Sequence, residues 1–131
     1  MRLEIVTPER VVLDREVARL RAEAPDGHFG ILPRHGEFVT ELAPGILIYA
    51  PAGGGAERFV ALHSGILVKT GAHVRIAVRS AVEGDDLSRL RARVETEFRR
   101  QDEDERDARA ALARLEASMI RRFRELGGAA P

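Results

Sequence analysis

The sequence predicts a β + α chain: a sandwich or barrel of short strands through residue 84, then a helical region over 85–131. Three observations point there. Gly and Pro crowd the first part, with Pro25, Gly27, Gly30, Pro33, Gly36, Pro44, Gly45, Pro51 and Gly53–Gly55 inside 25–55, whereas neither occurs between Asp85 and Leu126. Charge is uneven as well. Residues 1–84 carry ten cations and ten acids, and the 47 residues of 85–131 carry eleven of each. Apolar periodicity changes from two to between three and four at the same boundary, near Gly84.

Within the first regime, Val17–Ala24 places Ala18, Leu20, Ala22 and Ala24 on one face and mostly charge on the other, as in a strand with one wet side. His73–Arg79 repeats the pattern, with Val74, Ile76 and Val78 expected inward. Arg58–His63 and Ile66–Val68 are apolar on both faces, which fits strands enclosed in a sandwich. Turn signals recur at Asp26-Gly27, Pro33, Pro44-Gly45, Gly53–Gly55, Ser64-Gly65 and Thr70-Gly71. Short strands at that spacing without interleaved helices favour a sandwich or barrel over a parallel α/β sheet. So small a core is expected to rest on a partner.

In the second regime Asp85-Asp86 offers an N-cap, and Leu87, Leu90, Val94 and Phe98 follow at helical spacing. A second stripe runs through Ala108, Leu112, Leu115, Met119, Phe123 and Leu126. Arg99–Asp107 between them has no apolar residue. Two antiparallel helices with a polar elbow would bury both stripes. One helix of roughly 42 residues and ~63 Å is the alternative left open by the missing Gly and Pro. Residues 101–107 carry five acids and one Arg. Residues 108–126 carry Arg109, Arg114, Arg121, Arg122 and Arg124 against Glu116 and Glu125. This basic stretch reads as a solvated face or as a surface for an acidic protein partner.

Composition excludes several function classes. With 21 Lys+Arg against 21 Asp+Glu, the formal charge is zero, which argues against nucleic acid as a partner. The chain has no Cys, so disulfides and thiolate chemistry are absent. No stretch approaches the ~18 apolar residues of a membrane-spanning helix. Charge at Arg2 and Glu4 does not fit a signal peptide, and a soluble, cytoplasmic chain is expected.

The search for chemistry finds no catalytic constellation. His28, His35, His63 and His73 show no metal-binding spacing. Ser64 follows His63 without a nucleophile elbow. Gly53–Gly55 lacks the Lys-Ser/Thr of a phosphate-binding loop, and Asp85-Asp86 is better explained as a cap than as an acid–base pair. No catalytic residue, metal or cofactor is expected. On these patterns alone, a β-sandwich adaptor with a helical tail remains an alternative.

The order of several motifs adds a resemblance. Asp26-Gly27-His28-Phe29-Gly30-Ile31-Leu32-Pro33-Arg34-His35, followed by Pro44-Gly45-Ile46-Leu47, resembles the signature loop and strand of the epsilon subunit of bacterial F-type ATP synthases. Leu3–Arg10, Phe59–Val68 and Ala81–Leu87 resemble that family's first strand, its later strand pair and its entry into the helices. The likeness runs from Leu3 to about Leu126. Leu32–His35, Gly65–Lys69 and Ile120–Phe123 look closer to the alternate, N-type branch.

The resemblance implies a sandwich of about ten strands over 1–84 and a helix-turn-helix over 85–131 that folds back or extends. It implies a rotor subunit without catalysis of its own. The sandwich would bind the gamma subunit and the c subunits of the membrane ring, with His28, Phe29, Arg34 and His35 as exposed members of the ring-contact loop. Arg109, Arg114, Arg121, Arg122 and Arg124 would meet the alpha/beta catalytic head and restrain ATP hydrolysis. The chain would sit at the cytoplasmic face of the inner membrane, attached only through the complex. Some family members bind ATP through a hydrophobic-Asp-x-x-Arg-Ala pattern. Here Asp86 and Arg89 are kept, but Asp85 replaces the apolar lead and Leu90 the Ala, so nucleotide binding is not expected.

Overall fold

The computed structural model describes residues 1–128. Nine strands precede one helix: β1 (Arg2–Val6), β2 (Val11–Ala24), β3 (Gly27–Ile31), β4 (Phe38–Leu42), β5 (Gly45–Pro51), β6 (Arg58–Leu62), β7 (Gly65–Thr70), β8 (His73–Val78), β9 (Ala81–Gly84) and α1 (Leu87–Gly128). The first layer of the sandwich runs β4-β7-β8-β1-β2, and the second runs β3-β2-β5-β6-β9. All pairs are antiparallel except β1 with β8.

The 14-residue β2 belongs to both layers. Its first half pairs with β1, and its second half pairs with β5 and β3. The register slips between Val17 and Arg19, and a bulge of this kind lets a strand turn the corner between sheets. The slip also shifts the alternation. Val17, Leu20, Ala22 and Ala24 are buried, while Ala18 faces out.

Inward residues from both layers form one core. Leu3, Ile5, Leu67, Val74 and Ile76 come from the first layer; Leu20, Ile31, Leu47, Tyr49 and Val60 come from the second. In β8, Val74, Ile76 and Val78 are buried as the period of two predicts. In β6, Val60, Ala61 and Leu62 are all buried, and His63 beyond it is 4% exposed. Ile66 departs from the expectation of a fully enclosed strand, since it is half-exposed on the outer face.

Two compact units are present, Met1–Glu95 and a second that begins at Thr96. In the first, Asp86 caps the helix. Its Oδ1 accepts hydrogen bonds from the amides of Ser88 at 2.9 Å and Arg89 at 3.2 Å, which fills two of the amides a helix start leaves without partners.

The helical tail differs from the expected hairpin, because α1 runs unbroken for 42 residues. The polar elbow at 99–107 contains no Gly or Pro, and its Arg, Gln and Glu residues are good helix formers. Arg109 donates to Glu105 one turn earlier at 2.6 Å, an i,i+4 pair that adds to helix continuity. In consequence Leu112, Leu115, Met119, Phe123 and Leu126 are all more than half exposed.

Candidate functional site

The β2–β3 hairpin turns at Pro25-Asp26, and Gly27 follows with a φ of 136°, a conformation that excludes most side chains. His28 and Glu23 then face each other across the hairpin. A second turn at Pro33-Arg34 is closed by the His35 amide, which donates to the Leu32 carbonyl at 2.9 Å. The two turns together form the segment 26–35, and His28, Arg34 and His35 are exposed on it.

Phe29 is the exception among the four loop candidates. It is half-buried and meets Phe38 of β4 edge to face, with ring centroids 5.8 Å apart. His35 also leans on Phe38, at 4.8 Å and 51°. Phe29 therefore anchors the loop, while His28 and Arg34 are its free outer members.

A residue that sequence reasoning did not single out lies beneath this loop. Lys69, opposite Phe38 in the β4–β7 ladder, is 2% exposed. Its Nζ donates to the carbonyls of His35 at 2.5 Å, Gly71 at 2.7 Å and Pro33 at 3.5 Å. A buried ammonium is tolerable when its three donors are filled. The signal was in the sequence: Lys69 is the single Lys beside 20 Arg, and it shares the inward parity of Leu67.

Beside the hairpin, a groove of about 710 Å³ opens between β2, β3, β5 and the first turns of α1. Phe29, Ile46, Ile48 and Leu87 line it together with Arg21 and Arg91. Asp86 and Arg89 lie at the start of α1, where Asp86 is occupied as the cap. Arg89 is 91% exposed and its Nε stands 3.8 Å from Asp86 Oδ2. Among the basic candidates, Arg109 is paired with Glu105, and Arg114, Arg121, Arg122 and Arg124 are exposed. At 3.6 residues per turn, Arg114 and Arg121 lie opposite the stripe of Leu112, Leu115, Met119, Phe123 and Leu126.

Among the described residues, no cluster of three or more His, Asp or Glu could hold a metal. No described helix is long and apolar enough to cross a membrane.

Comparison with known proteins matches this architecture. Residues 1–84 fit the family model of the ATP synthase delta/epsilon chain β-sandwich domain. The "ATP synthase epsilon chain 2" of Paraburkholderia xenovorans is 39% identical over 128 residues, covering 94% of this chain and 89% of the relative. The epsilon chain 2 of Cereibacter sphaeroides is 38% identical, covering 91% of this chain and 82% of that one. A chain in the Euglena gracilis mitochondrial ATP synthase structure superposes with a TM-score of 0.58 at 28% identity. That match covers 62% of this chain but only 51% of the other. A chain of the Tetrahymena thermophila mitochondrial ATP synthase central stalk and c-ring shares the fold, with a TM-score of 0.52 at 14% identity over 76% of this chain and 91% of that one. The chain thus belongs to the ATP synthase delta/epsilon chain family, as an epsilon-type chain.

Proposed function

We propose that this epsilon-type chain is a non-catalytic rotor component that couples a membrane ring of c subunits to the alpha/beta catalytic head. In this reading the sandwich, residues 1–84, binds the gamma subunit and the ring, and residues 85–131 regulate. The observation that carries it is the segment 26–35. It is held to the sandwich by Phe38 and Lys69 while it presents His28 and Arg34 to the outside. A loop that transmits torque has to be both exposed and fixed.

The gamma subunit is assigned to the outer face of the first sheet. There Ile66, Ala77, Val6 and Val11 form one cross-strand row over four neighbouring strands, and Ile66 and Val11 are more than half exposed. Val39 and Val68 add an adjoining pair. An apolar row of this extent suits a protein partner.

The continuous α1, with its basic second half, suits contact with an acidic surface of the head and restraint of ATP hydrolysis. The occupied Asp86 carboxylate supports a capping role over nucleotide binding. The complex is placed at the cytoplasmic face of the inner membrane, and the chain reaches the membrane only through its partners. The name "epsilon chain 2" on two relatives supports an alternate, N-type ATPase.

A tagged pull-down from gently solubilised host membranes tests the assignment. Recovery of a gamma-like stalk chain, the head subunits and a small ring protein is the expected result. Recovery of unrelated soluble proteins alone would leave a free-standing adaptor in its place.

A further inference from the structure

We propose that Lys69 is the positioning residue of the candidate ring-contact loop: its buried ammonium holds the Pro33–His35 backbone onto the turn at Gly71. The importance of that position for coupling rests on the ring-contact reading above.

Among the described residues no carboxylate is in reach of the Lys69 Nζ; its acceptors are three backbone carbonyls from two turns that are distant in sequence. A carbonyl set converging on one point fits a compact ammonium with three donors. It fits a planar guanidinium poorly, because the five donors of Arg lie in a fixed fork. That accounts for Lys here in a chain that otherwise uses Arg for every cation. The bonds restrain the loop backbone without using its side chains, so Arg34 and His28 stay available to a partner. Phe38, opposite Lys69 in the ladder, holds the same loop through the rings of Phe29 and His35. One cross-strand pair therefore fixes the loop by two kinds of contact.

Burying a cation is costly, and an apolar residue of similar length often leaves stability equal or higher. Core packing and loop positioning are therefore separable roles for Lys69. Lys69→Met separates the two roles, because it retains the packing and removes all three donors. Full-length wild-type and K69M chains are compared by amide hydrogen exchange, then reconstituted into the complex to measure ATP-driven ion pumping against ATP hydrolysis.

The expected result is exchange about tenfold faster over 32–37, with β8 (His73–Val78) unchanged. A lower pumping-to-hydrolysis ratio is expected alongside it. Unchanged exchange over 32–37 overturns the proposal, and so does uniform acceleration across the sandwich, which would make Lys69 a core residue only. A loosened loop with an unchanged ratio upholds Lys69 as the positioning residue and removes the ring-contact reading. If K69M does not fold, Lys69→Gln serves the same comparison, since it keeps a polar head but cannot supply three donors.

Discussion

Phe29 and Phe38 meet edge to face with ring planes at 86°, and that contact joins β3 to β4 across the turn bearing Arg34 and His35. The quadrupoles of two rings favour this arrangement beyond the area it buries. Phe38 also receives the His35 ring, so a single side chain anchors both ends of the segment.

Replacing Phe38 by Ala removes both contacts. A fully buried Phe→Ala change costs about 3–5 kcal/mol; Phe38 is half-buried, so a loss of about 2 kcal/mol is expected. The denaturant midpoint measures the loss. Phe38→Leu is expected to recover most of the stability but not the ordering of His35.

Much of this fold was legible because its strands bury one face, and much of the rest was hidden by irregularities. β8 reads directly, since Val74, Ile76 and Val78 alternate with exposed residues. The bulge in β2 is different: Val17 and Leu20 both point inward, and no period of two can announce a slip made by backbone geometry. The hairpin reading of 85–131 assumed that apolar stripes must be buried within one chain. An uninterrupted run of helix formers outweighed that assumption. Of the loop candidates, His28 and Arg34 are exposed as expected, whereas Phe29 is inward because its partner, Phe38, is nine residues away.

Gly65 provides a test of packing between strands. A Cβ there would collide with the Ala77 carbonyl and stand 2.7 Å from Val78 Cγ1 and 2.8 Å from Val78 Cα. Two of these neighbours are backbone and cannot move aside. Gly65→Ala is expected to cost about 3 kcal/mol by overpacking. Gly53→Ala, with open space around it, is expected to stay within about 0.5 kcal/mol of the parent. Paired thermal melts distinguish the two.

The Asp86 cap makes a local prediction. Asp86→Ala removes the acceptor for the Ser88 and Arg89 amides and is expected to cost about 1 kcal/mol. Those two amides would exchange faster, with little change in the strands. Asp86→Asn retains an acceptor oxygen and is expected to recover most of the difference. Equal exchange in all three chains would remove Asp86 as the determinant of the helix start.

Tyr49 is expected to make the fold sensitive to alkali. It is 1% exposed and its hydroxyl donates to Glu83 Oε1 at 3.1 Å. Burial, followed by the charge of Glu83 and this hydrogen bond, raises its pKa above the ordinary 10.0. A phenol whose pKa is higher when folded binds its proton more tightly in the native state. Its contribution is therefore complete below about pH 10 and is lost as pH rises toward the folded value. Urea midpoints are expected to fall above pH 10, and Tyr49→Phe is expected to flatten that fall. The variant should lose about 1 kcal/mol at pH 8 with the hydrogen bond. An equally steep alkaline fall in the variant would assign it to another group.

The basic half of α1 gives the prediction nearest to function. Arg114, Arg121, Arg122 and Arg124 are exposed on a helix whose apolar stripe is exposed as well, so charge and apolar area are both available to a partner. If the four cations face an acidic surface of the head, each pair contributes a few tenths of a kcal/mol, about 1.4 kcal/mol in all. Changing all four to Gln is then expected to raise ATP hydrolysis by the assembled complex about tenfold. Removing residues 85–131 should raise it at least as far. Because exposed pairs are screened within about 10 Å at 0.1 M salt, added salt should relieve the restraint in the parent and do little in the Gln variant. Hydrolysis that stays unchanged in both altered complexes would mean that the helix does not restrain the motor. A rise on truncation alone would assign the restraint to the apolar stripe of Leu112, Leu115, Met119, Phe123 and Leu126, with the arginines serving only to keep the rest of the helix solvated.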